Sequence, residues 1–167
     1  MGTPEPTARD PPDFHPQRRI VLGVRPVIEP TERQIDAPGG PLLVRTWEAS
    51  SPGWIALIAH GYGEHSGRYQ WVAERLVEAG GLVCALDHIG HGRSPGEPVL
   101  IEDFEDVVAG VDSVRARVRA EHPDLPVVLI GHSLGGMVAA RYAQEHQQEL
   151  AALVLSGPVL GTWHVLD

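Results

Sequence analysis

The sequence holds a single cysteine, Cys84, in 167 residues. That excludes an internal disulfide, and no Cys/His spacing of the kind that holds zinc accompanies it, so no metal site is expected and a reducing, cytoplasmic setting is the economical expectation. Basic residues are outnumbered, 13 Lys and Arg against 22 Asp and Glu, for a formal charge of -9. Such a surface repels phosphate backbones and offers anionic lipid no broad basic patch; nucleic acid is not an expected partner, and membrane contact is at most peripheral. No apolar run approaches the roughly 18 residues needed to span a bilayer. What the chain does contain, 43% hydrophobic and 21% charged residues with 19 Gly and 15 Pro, suits one soluble globular domain.

Residues 1 to about 30 carry Pro4, Pro6, Pro11, Pro12, Pro16, Pro26 and Pro30 among polar residues. Proline at that spacing forbids helix and removes strand-ladder donors, so an extended, mostly disordered lead is expected ahead of a domain over 31–167. Arg18-Arg19 before Ile20–Val24 faintly resembles a twin-arginine export signal. The apolar run is too short for one, and no small-residue cleavage site follows.

From residue 33 short apolar runs alternate with amphipathic ones. Arg33–Ala37 and Leu42–Ala49, joined through Pro38-Gly39-Gly40-Pro41, read as an antiparallel hairpin. Trp54–Ala59 is continuously apolar and too short for a helix, which fits a strand buried on both faces. Tyr69, Val72, Ala73, Leu76 and Val77 recur at helical spacing before Gly80-Gly81, so the pattern predicts a helix over about 67–79. Leu82–Leu86, Val127–Ile130 and Leu150–Leu155 read as further strands. Helices are expected through Phe104–Val118, whose acidic start and basic end suit the helix dipole, and from Leu134 to about His146. Strands alternating with helices imply a mostly parallel sheet covered on both faces, of six strands at most.

Between the strand ending at Ile130 and the helix from Leu134 lies Gly131-His132-Ser133-Leu134-Gly135-Gly136, which contains G-x-S-x-G. The bare pattern is weak, and it also fits a phosphate-binding turn or a plain tight turn. Its place between strand and helix makes it specific. A serine nucleophile on a strained turn needs glycine two residues before and after, here Gly131 and Gly135, because side chains there would strike the neighbouring strand and helix. Ester hydrolysis also needs two N–H groups aimed at an oxyanion. Leu134 follows the nucleophile, and the loop His60-Gly61-Tyr62-Gly63-Glu64, at the end of another strand, can supply the second N–H from Tyr62. The bland alternative for that segment is a flexible loop.

Three blocks at ordered spacing, His60–Tyr69, Asp87–Ser94 and Gly131–Gly136, resemble the α/β-hydrolases related to monoacylglycerol lipase and lysophospholipase over roughly residues 42–160. The resemblance implies an α/β-hydrolase fold and a serine ester hydrolase of lipid monoesters that works through an acyl-serine without a cofactor. Ser133 would be the nucleophile, and the Tyr62 and Leu134 amides the oxyanion hole. His60, Gly61, Glu64, Arg68, Gly131, His132 and Gly135 would support the site, with Glu64 and Arg68 ordering the loop; Asp87 and His91 match a structural turn.

The family's triad continues with an acid and then a histidine on later strands. After Ser133 the chain offers Glu145, Glu149 and Asp167 as acids and His146 and His164 as bases. Glu145, His146 and Glu149 lie more than two helical turns from Ser133. Asp167 precedes no histidine, and His164 falls where the family's lid begins. The expectation is therefore a domain without its C-terminal strands and lid, with little activity at this length and an uncovered apolar edge at Leu150–Leu155. The other class of function compatible with these residues is a non-catalytic α/β module that binds a partner through that edge.

Overall fold

The computed structural model describes residues 27–161. The Pro-rich lead up to residue 26, and His164 and Asp167, lie outside the described residues. Residues 27–30 run without regular structure into the domain, and Ile28 packs against the sheet's smaller core. Its amide donates to Glu74 and its carbonyl accepts from Gln70.

Six strands form one sheet: β1 (Thr31–Ile35), β2 (Leu42–Glu48), β3 (Trp54–Ala59), β4 (Gly81–Leu86), β5 (Val127–His132) and β6 (Ala152–Ser156). Their order is β1-β2-β4-β3-β5-β6. β1 and β2 pair antiparallel, as do β2 and β4; β4, β3, β5 and β6 run parallel. The helices are α1 (Gln70–Glu78), α2 (Phe104–Glu121) and α3 (Leu134–His146).

Alternation along the central strands builds two cores. Ile55, Leu57 and Ala59 of β3 and Leu82, Cys84 and Leu86 of β4 face one side, where Val107, Val111, Val114 and Val118 of α2 and Val138 and Tyr142 of α3 cover them. Ala56, Ile58, Val83 and Ala85 face the other side, against Trp47 and the α1 residues Ala73 and Val77. Because both faces are covered, β3 and β4 have no polar position to alternate with. Cys84 is fully buried, and burial pushes its thiol up to about 11, which leaves it an inert core residue.

Departures from the sequence pattern are local. The helix expected over 67–79 divides into a 3-10 turn (Ser66–Tyr69) and α1, because the Ser66 amide and hydroxyl are both held by the Asp87 carboxylate. β1 starts two residues earlier than its apolar pattern and ends at Ile35, where the turn toward Leu42 begins. β6 starts at Ala152 because Leu150 closes a 3-10 turn with Gln147. Ala152, Leu153 and Val154 on that edge strand are exposed.

Candidate active site

β5 delivers the chain to the C-terminal edge of the sheet, and α3 leaves it there. Ser133, at the junction, has φ 52° and ψ -115°, a left-handed conformation that costs a non-glycine residue on the order of 1–3 kcal/mol. Neighbours over-determine it. The Ser133 amide donates to Ser156 at 3.0 Å, and its carbonyl accepts from Gly136, Met137 and Val159 at 3.0, 3.2 and 3.2 Å. Gly131 and Gly135 are where strand and helix touch. A methyl on Gly131 would meet the Gly135 carbonyl, and one on Gly135 would meet the Ala59 and His60 carbonyls. Gly136 is a third such position, against Pro158, which the five-residue pattern gave no reason to single out.

The loop after β3 passes directly against Ser133: a methyl on Gly61 would lie 3.3 Å from Ser133 Cβ and 3.2 Å from Glu64 Oε2. Two clamps orient it. Glu64 Oε2 accepts from the Gly61 amide at 3.1 Å and from the Tyr69 hydroxyl at 3.0 Å, while Arg68 pairs with Glu64 Oε1 at 3.4 Å. Burial raises the Glu64 carboxyl, but the Gly61 amide, Tyr69 and Arg68 outweigh it, and the net direction is down. His60 is the second clamp. Its Nε2 lies 3.0 Å from the His88 amide and must accept; its Nδ1 therefore carries the proton and donates to the Gly61 carbonyl at 2.7 Å.

In a trans peptide the carbonyl and the following amide point in opposite directions. Holding the Gly61 carbonyl on His60 therefore turns the Tyr62 N–H away from the buried histidines. Neither that N–H nor the Leu134 N–H, the first of α3, finds a protein partner among the described residues. These are the two amides the sequence assigns to the oxyanion hole.

Behind the loop, Asp87 is fully buried. Its Oδ1 accepts from the Ser66 amide and hydroxyl and lies 3.6 Å from Arg45; its Oδ2 accepts from the Arg93 amide at 2.9 Å. Asp87 thus ties the end of β4 to both neighbouring loops, and His91, whose Nδ1 donates to the Ile89 carbonyl at 2.9 Å, closes the same turn. Ser66, Arg45 and His88 take part in this frame, but their sequence context carried no signal for it.

His132 is engaged on β6 rather than on Ser133: its Nδ1 lies 3.0 Å from the Ser156 carbonyl. At the far end of α3, about 18 Å along the axis, His146 stacks on Tyr142, Glu145 pairs with Arg141, and Glu149 pairs with Arg115. Among the described residues none hydrogen-bonds to the Ser133 hydroxyl, and no group of three or more His, Cys, Asp or Glu side chains is placed to hold a metal ion. No helix among them is long and apolar enough to cross a membrane.

The buried imidazoles give the frame a pH dependence. Burial lowers His60 to about 4, opposed by its bond to Gly61 and by Asp87 and Glu64 and aided by His91; burial, then His60 and His91, lowers His88 well below the usual range. Neither ring nitrogen of His88 has a partner among the described residues. A histidine depressed in the folded state binds more protons when unfolded, so its contribution is present above its unfolded pKa and is lost as pH falls toward the folded one. Urea unfolding is expected to show stability falling between pH 6.5 and 4, by on the order of 3 kcal/mol from His60 alone. His60→Gln should flatten part of that slope. A wild-type profile level across this interval would contradict the assignment.

A six-stranded, mostly parallel sheet that carries a serine on a strained strand-to-helix turn defines an α/β-hydrolase fold. The chain belongs to the Hydrolase_4 family (serine aminopeptidase, S33), which matches residues 50–166. It is 42% identical over 111 residues to a monoacylglycerol lipase of Mycolicibacterium smegmatis, covering 66% of this chain and 40% of that one. It is 40% identical over 131 residues to a human monoglyceride lipase, covering 75% and 42%. Among solved structures, a thermostable carboxyl esterase from Bacillus coagulans superposes with a TM-score of 0.69 at 29% identity, covering 76% of this chain and 44% of that one. The chain thus spans about two fifths of the length of the curated relatives it matches.

Proposed function

We propose that this chain carries the nucleophile half of a serine ester hydrolase acting on monoacylglycerol- or lysophospholipid-like esters. The observation that carries the reading is the Ser133 turn, with its left-handed backbone, and beside it at the same sheet edge the Tyr62 and Leu134 amides, which have no partner among the described residues. The Ser133 oxygen would attack the ester carbonyl and lose its proton to a base. The carbonyl oxygen would become an anion facing the Tyr62 and Leu134 amides, and the alcohol would leave with the proton. Water then cleaves the acyl-serine. The acid and the base come from outside the described residues. The lipid monoester as substrate rests on the lipase relatives, and a cytoplasmic setting with peripheral membrane contact at most, part of the same reading, rests on the single cysteine and on charge.

The test supplies a base from solution. A fluorophosphonate should phosphonylate Ser133 when imidazole is added: the Ser133 oxygen bonds phosphorus, fluoride leaves, and imidazole takes the proton. Intact-mass spectrometry should show one adduct, dependent on imidazole and absent in Ser133→Ala. Failure to label, or labelling that survives Ser133→Ala, would remove Ser133 as nucleophile. The second reading, a non-catalytic binding module, is favoured by the exposed apolar edge of β6 and would then take its place.

A further inference from the structure

We infer that the Tyr62 side chain is a positioning strut: its hydroxyl bond to the Val99 carbonyl ties the strained segment 96–101 to the loop that presents the Tyr62 amide to Ser133. The oxyanion role of that amide rests on the function proposed above; the strut itself rests on three observations.

The first is that Tyr62 is not held by burial. It is 58% exposed, and yet its hydroxyl donates to the Val99 carbonyl at 2.7 Å, across 37 residues of sequence. An exposed tyrosine hydroxyl is satisfied by water, so an ordered bond to the backbone is not required for solvation. The two segments also line a common open cavity of about 230 Å³, Gly63 and Glu64 from the loop and Pro98 and Val99 from the segment 96–101, so the hydroxyl bond joins them beside a gap that packing does not fill.

The second is the backbone of Val99, at φ 56°. A β-branched residue in the left-handed region is an outlier costing about 1–2 kcal/mol, and it persists only where its surroundings over-determine it. They do. The Val99 amide donates to the Gly90 carbonyl at 2.8 Å, the Gly90 amide to Pro95 at 2.7 Å, and the Leu100 amide to Glu97 at 3.1 Å. Gly90 has no room for a methyl, which would lie 2.7 Å from the Glu97 carbonyl. This rigid loop directs the Val99 carbonyl at Tyr62.

The third is a second anchor on the same segment. The Tyr62 and His91 rings meet in a T-shaped contact, centroids 5.5 Å apart at 72°, and His91 is itself fixed to Ile89. Gly63, which follows Tyr62, has φ 69° and open space around it, so the loop tip gains no restraint from there. His60 and the Glu64 amide hold the Gly61 carbonyl. The strut holds the Tyr62 α-carbon. Together they hold the rigid Gly61–Tyr62 peptide plane at its carbonyl and at the α-carbon that follows it, so the plane that carries the Tyr62 N–H cannot tilt.

Tyr62→Phe removes one oxygen and leaves the ring on His91. Native-state hydrogen exchange in the 167-residue protein should show the amides of Val99 and Glu64 accelerated together by about ten-fold, the usual consequence of one lost hydrogen bond. The Gly80 amide, bonded to Val77 on the far side of the domain, should not change, and the urea midpoint should fall by no more than one hydrogen bond accounts for. Val99→Gly keeps the carbonyl but frees its backbone, and should accelerate Glu64 as well, by less. Acceleration at Val99 alone, at none of the amides, or equally at all three would each overturn the strut. Imidazole-dependent phosphonylation of Ser133 should also slow in Tyr62→Phe under conditions where the protein stays fully folded, and an equal rate would overturn the positioning role. If the wild type is not phosphonylated at all, the proposed function fails while the exchange pattern still decides the strut.

Discussion

Gly135→Ala is expected to prevent stable folding. The added methyl would lie far inside van der Waals contact with the Ala59 carbonyl oxygen and 2.5 Å from that of His60, both backbone atoms at the end of β3. A flexible side chain could swing aside; a strand in the middle of a sheet cannot. α3 cannot retreat either, because Gly131 already lies against the Gly135 carbonyl, and the Ser133 and Val159 amides pin the turn to β6 and the segment after it. Overpacking a core costs 1–3 kcal/mol where side chains can adjust. Backbone against backbone belongs to the exceptional class above about 4 kcal/mol, a large part of the 5–15 kcal/mol that holds a domain together. Gly53→Ala is the control, since nothing lies within 4 Å of its added methyl. Thermal or urea unfolding should find Gly53→Ala close to wild type and Gly135→Ala unfolded or insoluble. A Gly135→Ala protein that unfolds within a few degrees of wild type would mean that the start of α3 does not lie against the end of β3.

The same contacts explain why the Ser133 turn is legible in the sequence. Where strand and helix backbones touch, no side chain fits, and the constraint is written at fixed offsets from Ser133. β3 is legible for a related reason: both of its faces are covered, so Trp54–Ala59 is apolar without interruption and its bounds match the structure. α3, from Leu134 to His146, matches as well, because its start is fixed by the turn. The 3-10 turn at Ser66 is not legible, since it depends on Asp87, 21 residues away and on another strand. His88 looks like one more polar loop residue until the fold buries it. Val99 is the extreme case, for no local rule places valine in the left-handed region, and only the loop around Gly90 and the Tyr62 hydroxyl account for it. Local sterics can be read from spacing; contacts made across the sheet edge cannot.

The 167-residue polypeptide is expected to hydrolyse short p-nitrophenyl esters barely above buffer. A serine hydroxyl attacks an ester at neutral pH only if a base takes its proton as the bond forms. Three nearby imidazoles are engaged elsewhere, His60 on Gly61 and His88, His91 on Ile89 and His132 on Ser156, and the His88 ring is buried behind the loop with burial holding it neutral. His60 is also held down to about 4 by burial, a poor base even if it could turn. Without the base, catalysis falls by thousands-fold or more, to what an oxyanion hole and binding alone provide. A longer polypeptide that carries a strand-borne acid and histidine beyond residue 167 should recover turnover by that factor, and Ser133→Ala should abolish the gain. The opposite result is equally informative. If the monomeric 167-residue protein, free of contaminating esterase, turns over many esters per second and loses this on Ser133→Ala, the base lies within the chain, and His164 and Asp167, outside the described residues, are the first to substitute. If turnover survives Ser133→Ala, the hydrolysis occurs elsewhere, and the exposed edge of β6 becomes the better guide to what the chain does.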